Sequence, residues 1–217
     1  SEILIADDCS SDETFERAIR YKEEKKLKKL KIIKHDKNKG YGGNQKFCYN
    51  YAIEKGYDIA VMLHGDLQYP TEFILPLSDK LNKEKAGMAF GSRMSGDPLK
   101  GGMPLYKFLG NIFLTNVENL VLRTKLTEFH SGFRAYSIKA LKKIPFNKNS
   151  DDFHFDSEII IQLILAKEEI VEIPIPTKYG DEKCNVNSFK YGLNILNLML
   201  EYLLHKSHLK TYEIFKI

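Results

Sequence analysis

The chain contains no tryptophan and only three cysteines in 217 residues. Cys9, Cys48 and Cys184 are odd in number and lack metal-like spacing, which argues against a disulfide-stapled fold or a thiolate zinc site. Long apolar runs are missing too. The longest, "IIIQLILA" and "LNILNLMLEYLL", fall short of the ~20 residues a membrane-spanning helix needs. "SEILIADD" opens on a strand-like run with no basic segment ahead of it, so a signal peptide is not expected. Charge of one sign is scarce: the formal net charge is +4, and nothing global demands nucleic acid as a partner. The lysine-rich "KKLKKLKIIK" lies between a helical and a strand pattern and reads as a solvated helix end. Repeats and low-complexity linkers are also lacking. These absences leave a globular protein, expected to be cytoplasmic or peripheral on the cytoplasmic face of a membrane.

What is present alternates strand with helix, the pattern of an α/β domain. "EILIAD" reads as a buried strand, and "CSSDE" supplies polar caps for a helix running to about Lys26. "LKIIKH" is a second strand and ends in the glycine-rich turn "DKNKGYGGN". A helix closed by Gly56 follows, then the strand "DIAVML". Pro70 starts a helix, "AGMAFGSR" is a strand, and "RMSGDPLKGGM" is a glycine-rich loop that reads equally as a lid or a plain surface loop. Met103 to Leu122 is mostly helix, "FHSGFRAYS" strand and turn, "FDSEIIIQLILAKE" a buried helix, and "IVEIPI" a last strand. A polar loop over Thr177–Ser188 precedes a final helix. Residues 1–188 are therefore expected as the main domain and 189–217 as an amphipathic helical extension.

In open α/β sheets ligands bind beyond the carboxyl ends of the strands. Asp7-Asp8, the Asn38–Asn44 loop and His64–Gln68 all fall there. In "HGDLQ" an imidazole, a carboxylate and an amide recur at alternate positions, on one face of an extended segment. A hard divalent cation takes oxygen ligands from such a set and leaves positions open for a diphosphate. A polar turn that merely ends the strand remains the plainer alternative at this point.

The stretches "EILIADDCSSDET", "NKGYGGNQ", "VMLHGDLQYP", "FGSR", "SGFRAYS" and "VEIPI" resemble, in order and spacing, the family-2 glycosyltransferases. They are most similar to the branch of dolichol-phosphate mannose synthases and polyprenyl-phosphate glycosyltransferases. The resemblance implies a GT-A fold, a Rossmann-like nucleotide-sugar-binding sheet flanked by helices. It also implies an inverting transferase that moves a sugar from a GDP- or UDP-linked donor to an acceptor, with a polyprenyl phosphate as the lipid acceptor. Mg²⁺ or Mn²⁺ is the implied cofactor, with Asp66, Gln68 and His64 as its ligands. Asp7, Asp8, Gly42, Gly43, His64 and Asp66 are the implied nucleotide-sugar contacts. His64 stands where the family's usual residue is aspartate. Arg93, Ser131 and Arg134 correspond to the residues around an acceptor phosphate, where arginine forks fit best.

Bland alternatives stand beside these roles. Asp8 also suits a cap for the helix that follows, and Arg134 a structural ion pair. Asp156 reads either as a helix cap or as the general base that a hydroxyl acceptor needs; a phosphate acceptor is already ionised and needs none. Asp66, Arg134 and Asp156 are the expected catalytic residues. The last helix reads as core packing or as an interfacial helix beside anionic lipid. The family pattern begins one strand and helix earlier than Ser1, so the sheet is expected to lack a central strand. Two other readings follow from the departures: a non-catalytic binding module of the same fold, or a metallophosphoesterase, which lacks its "GNH"-type motifs here.

Overall fold

The computed structural model describes residues 1–176, 178–179 and 187–217. Cys184 and most of the loop expected over Thr177–Ser188 lie outside them. Six strands are described: β1 (Ile3–Asp7), β2 (Leu30–Lys34), β3 (Ile59–Met62), β4 (Met88–Ser92), β5 (Arg134–Ser137) and β6 (Ile170–Pro174). Between and after them run the helices α1 (Thr14–Glu24), α2 (Gly40–Glu54), α3 (Ile74–Glu84), α4 (Leu105–Leu122), α5 (Ile138–Leu141), α6 (Phe155–Leu165) and α7 (Ser188–Lys206).

The strands form two sheets. β1 and β2 pair in parallel, with Ile3 opposite Leu30 and Asp7 opposite Lys34. The other four run in the order β3-β5-β4-β6. β4 and β6 are parallel, whereas β5 is antiparallel to both β3 and β4. β1 and β3 both line one cleft and do not pair with each other.

β4 is buried along its whole length because it has a strand on each side and helices on both faces. Its side chains alternate accordingly. Met88 and Phe90 join Tyr136 in a core that α6 fills with Phe155, Ile159 and Ile160. Ala89 joins Ala135 and Phe133 under Leu77 and Leu81 of α3. α6 buries its whole circumference, Asp156, Ser157, Glu158 and Gln162 included. The C-terminal segment is more than an appendage: Leu198, Met199, Tyr202 and Phe215 belong to the same core as Phe155.

The glycine-rich stretch departs from the expected turn, because α2 begins at Gly40 and takes Gly42 and Gly43 into its first turn. Packing explains the glycines. A Cβ on Gly42 would stand 2.4 Å from the Ser150 carbonyl oxygen and 2.8 Å from Phe155 Cβ. The helix can therefore lie against the Ser150–Phe155 segment, where Gly42 N–H donates to the Asp151 carbonyl at 2.8 Å. Cys48, on the same helix, has its thiol pushed up to about 11 by burial, which keeps it protonated and inert.

Candidate active site

A cleft of about 2230 Å³ runs along β1 and β3 and past their carboxyl ends. Asp8, Gly40, His64, Asp66, Gln68 and Arg93 all line it, so the three polar turns picked out in the sequence do converge. That volume also counts the groove along Ile3–Ala6, Ile59–Leu63 and α2, so the part beside the polar turns is smaller than the whole.

On the β1 side, Asp8 uses both carboxylate oxygens on backbone, accepting from Lys39 N–H at 2.8 Å and Gly40 N–H at 3.0 Å. It thus caps α2, the second helix after it, and shapes the cleft wall through that helix. Asp7 is buried; its Oδ1 accepts from Ser10 N–H at 2.7 Å and its Oδ2 has no hydrogen-bond partner.

After β3 the segment His64–Gln68 folds as a turn and not as the extended run expected of it. Leu67 takes a left-handed φ of 60°, and Asp66 Oδ1 accepts from Gln68 N–H at 3.1 Å. This is an Asx-type turn, which short acidic side chains favour because they mimic a backbone turn. Leu67 is left-handed without being glycine, a strained state of the kind that clusters at functional sites. The turn still brings His64 Nδ1 to 3.9 Å from Asp66 Oδ2.

Tyr41, on the first turn of α2, ties this turn to α6. Its hydroxyl donates to Asp156 Oδ2 at 2.8 Å and lies 3.1 Å from His64 Nε2. A phenol has one proton to give, so its contact with Nε2 requires an Nε2–H donor on the ring. Nδ1 is then the unprotonated nitrogen, on the side that faces Asp66. Burial pushes the His64 imidazolium below its ordinary value, although Asp156 and Asp66 pull it upward, and the neutral ring results. The ring also presses close to Gly132, where a Cβ would meet His64 Cε1 at 2.4 Å. His64 is thus clamped in place and in tautomer.

Asp156 lies on the cleft lining, nearly buried, at the centre of a hydrogen-bonded support. Besides Tyr41 it accepts from Gln45 Nε2 at 3.1 Å and faces Arg134 Nη2 at 3.5 Å. Arg134, expected beside an acceptor phosphate, is wholly buried one layer below the cleft. Its guanidinium donates to the carbonyls of Ser131 at 2.7 Å, Phe129 at 2.7 Å and Asp156 at 2.8 Å. Ser131 is likewise fully buried, its hydroxyl without a hydrogen-bond partner among the described residues. This corner of "SGFRAYS" fixes the chain path leading into β5. Asp156 caps nothing, being spent on side chains.

Arg93 is the arginine that reaches the cleft. Its guanidinium pairs with Glu128, donates to the His130 carbonyl at 2.9 Å and reaches Tyr179 Oη at 3.0 Å. Burial opposes its charge, but the Glu128 carboxylate holds Arg93 protonated. Burial likewise opposes charge on Glu128, yet Arg93 and then the Asn111 amide keep that carboxyl below the usual range. A second buried acid, Glu118, lies 3.2 Å from His130 Nε2 and accepts from Ser157 Oγ at 2.9 Å. His130 Nδ1 in turn meets Tyr191 Oη of α7 at 2.9 Å. The sequence pattern had not singled out Tyr41, Gln45, Glu118, Glu128, His130 or Tyr191. Tyr41 and Gln45 carried a usable signal, four residues apart on one helix face beside the glycines.

A divalent cation fits the cleft turn. Among the described residues no cluster of three or more His, Cys, Asp or Glu can enclose a metal. A hard cation that keeps water and takes phosphate oxygens needs only one or two protein carboxylates. Asp66 Oδ2 and the unprotonated His64 Nδ1 supply a partial set, with the Gln68 side chain beside them on the cleft wall.

Comparison with known proteins gives the family. The model of the family "Glycosyl transferase family 2" matches residues 1–145. The low-salt glycan biosynthesis hexosyltransferase Agl6 of Haloferax volcanii is 31% identical over 201 residues, covering 92% of this chain and 45% of that protein. The UDP-N-acetylglucosamine–dolichyl-phosphate N-acetylglucosaminyltransferase of Methanococcus voltae is 32% identical over 195 residues, 82% of this chain and 75% of its own length. The chain therefore spans less than half of the first relative and three quarters of the second. Among solved structures, glucosyl-3-phosphoglycerate synthase from Mycobacterium tuberculosis with Mn²⁺, UDP and phosphoglyceric acid aligns with a TM-score of 0.63 at 15% identity. That alignment covers 94% of this chain and 66% of that one, and it establishes a common GT-A fold.

Proposed function

This chain belongs to glycosyl transferase family 2, and on that premise we propose that it moves a sugar, with inversion, from a nucleotide-sugar donor to a polyprenyl (dolichyl-type) phosphate. Support for the acceptor comes from the relatives. The Methanococcus protein is named for dolichyl phosphate, and a 25%-identical protein of Micrococcus luteus is an undecaprenyl-phosphate mannosyltransferase. The observation that carries the reading is the clamped His64–Asp66 pair at the mouth of the cleft, its Nδ1 and Oδ2 3.9 Å apart.

Asp66, with His64 and Gln68, would hold Mg²⁺ or Mn²⁺, which would neutralise charge on the donor diphosphate. Tyr41 keeps His64 in the ligating tautomer. Asp8 and Gly40 shape the nucleotide wall, with Asp7 behind them, whereas Gly42 and Gly43 are buried against the Ser150–Phe155 segment and do not line the cleft. Arg93 faces the cleft with a fixed charge and orients the acceptor phosphate. A phosphate oxygen of the acceptor attacks the anomeric carbon. The bond from that carbon to the diphosphate oxygen breaks, and its electron pair leaves with the nucleoside diphosphate. No proton has to be moved, so Asp156 on the cleft wall and the buried Arg134 and Ser131 serve as positioning residues. Catalysis is then alignment and electrostatics.

Calorimetric titration with UDP and GDP, with and without Mn²⁺, tests the donor half. Metal-dependent binding of one nucleotide that Asp66→Ala abolishes is the expected result. Unchanged affinity in Asp66→Ala would remove the aspartate from the site.

A further inference from the structure

The His64 ring is gripped by three neighbours and has little freedom to turn. Tyr41 and Tyr69 both meet it edge-on, with ring centroids 5.6 Å and 5.5 Å away. The third neighbour is Gly132, where a Cβ would stand 2.4 Å from Cε1 and 2.6 Å from Nε2, so the ring fits only against glycine. Gly132 is itself fixed, because its N–H donates to Tyr69 Oη at 2.9 Å. Flipping the ring would carry Nε2 away from Tyr41 and break their hydrogen bond.

This grip has a chemical consequence as well as a geometric one. Asp156 Oδ2 takes the Tyr41 proton at 2.8 Å, and Tyr41 Oη accepts in turn from Nε2–H of His64. Such a carboxylate–phenol–imidazole chain raises the basicity of the far nitrogen, as outer partners of ligating histidines do. That nitrogen is Nδ1, 3.9 Å from Asp66 Oδ2. A cation on Asp66 would therefore find a fixed, basic imidazole nitrogen beside one carboxylate. Among the described residues no third His, Cys, Asp or Glu completes a metal cluster with them.

We propose that His64 sets the metal preference of this chain, making the site favour first-row transition cations, Co²⁺ above Mn²⁺, over Mg²⁺. Ligand softness is the reason. Mg²⁺ takes oxygen donors and gives up its water reluctantly, so an imidazole in place of a carboxylate removes charge and returns little. Imidazole suits the later first-row cations, whose affinity for such sites rises from Mn²⁺ to Co²⁺. Tyr41 and Gly132 are then positioning residues, since they aim the nitrogen without offering a ligand. The preference presupposes the sugar-transfer reading, in which Asp66 holds the cation.

Cation binding by the intact chain with UDP or GDP present tests this without turnover. Competition against Mn²⁺, read from the electron-spin signal of the free ion, should rank Co²⁺ tightest and Mg²⁺ weakest. Pulsed electron-spin spectra of bound Mn²⁺ should show coupling to a nitrogen nucleus as well as to diphosphate phosphorus. His64→Asp should lose the nitrogen coupling, keep the phosphorus coupling and narrow the preference for Co²⁺ over Mg²⁺ about tenfold. The wild-type spectrum decides the matter even where that variant proves unstable. Bound Mn²⁺ without nitrogen coupling, or Mg²⁺ bound as tightly as Co²⁺, overturns the proposal. So does a nitrogen coupling that persists in His64→Asp, since another histidine would then supply it. If Asp66→Ala still abolishes binding in those cases, the aspartate and the transfer reading stand without the histidine. Nitrogen-coupled binding by a chain that transfers no sugar to any polyprenyl phosphate upholds the role of His64 and sinks the transfer reading. Failure to bind any of the three cations sinks both.

Discussion

The hydroxyl of Tyr41 sits 3.1 Å from Nε2 of His64, and that contact decides which nitrogen of the ring is free. Where the family's usual residue is aspartate, this chain presents a neutral imidazole whose Nδ1 faces the Asp66 carboxylate. The substitution retains a metal-competent donor provided the tyrosine holds the tautomer.

Tyr41→Phe removes that hold. Loss of an outer partner typically lowers metal affinity ~10–100-fold, so Mn²⁺-dependent nucleotide binding should weaken by at least the lower figure. Folding stability should fall by about 1 kcal/mol, because Asp156 keeps Gln45 and Arg134. Calorimetry and thermal melting read the two effects separately. Unchanged metal dependence would show that the tyrosine does not set the tautomer.

Gly42→Ala puts a methyl group 2.4 Å from the Ser150 carbonyl oxygen, a backbone atom that cannot swing aside. Overpacking of this kind costs roughly 1–3 kcal/mol. A lowered melting temperature, with weaker nucleotide binding as α2 shifts, is the expected outcome. Wild-type melting would mean the helix does not pack as closely as described.

Glu128→Gln leaves Arg93 charged and without its carboxylate in a buried setting. Breaking such a pair costs about 3–5 kcal/mol at neutral pH. The pH dependence has a definite sign. The folded-state pKa of Glu128 is depressed, so its contribution is complete above the unfolded value of ~4.3 and is lost as the pH falls from there through the lower folded value. Denaturant melts of both proteins across acid pH should therefore converge as the pH drops. A constant difference would mean that the carboxylate charge is not what Arg93 uses.

Arg134→Lys cannot reproduce three carbonyl contacts from one planar fork. Stability should fall by ~2–4 kcal/mol, a loss of the kind seen when a buried hydrogen-bonded network is cut. Acceptor KM should move less than kcat if Arg134 only positions the turn. A large KM effect with unchanged melting would instead put the guanidinium on the acceptor.

Much of the architecture was legible from periodicity. The strands around Ile3–Asp7, Ile59–Met62 and Met88–Ser92 were readable as apolar runs, and the helices between them by their spacing. The antiparallel run of β5 was not legible, because Arg134–Ser137 is four residues long and direction depends on where its neighbours lie. Gly40 to Gly43 read as a loop, since glycine disfavours helix intrinsically; only the close approach of Ser150–Phe155 makes it obligatory there. His64 and Asp66 were visible as a motif, while Tyr41, Asp156 and Arg134 meet only through contacts 115 and 22 residues apart in the chain.

Sugar transfer itself gives the most direct test. The intact chain would be incubated with Mn²⁺, a polyprenyl phosphate and a panel of radiolabelled UDP- and GDP-linked sugars, and the organic phase counted. The account predicts that label from one donor enters that phase with inverted anomeric configuration, in step with release of its nucleoside diphosphate, and that Asp66→Ala does not transfer. Label that remains in water for every donor, or transfer that proceeds equally well in Asp66→Ala, would contradict it.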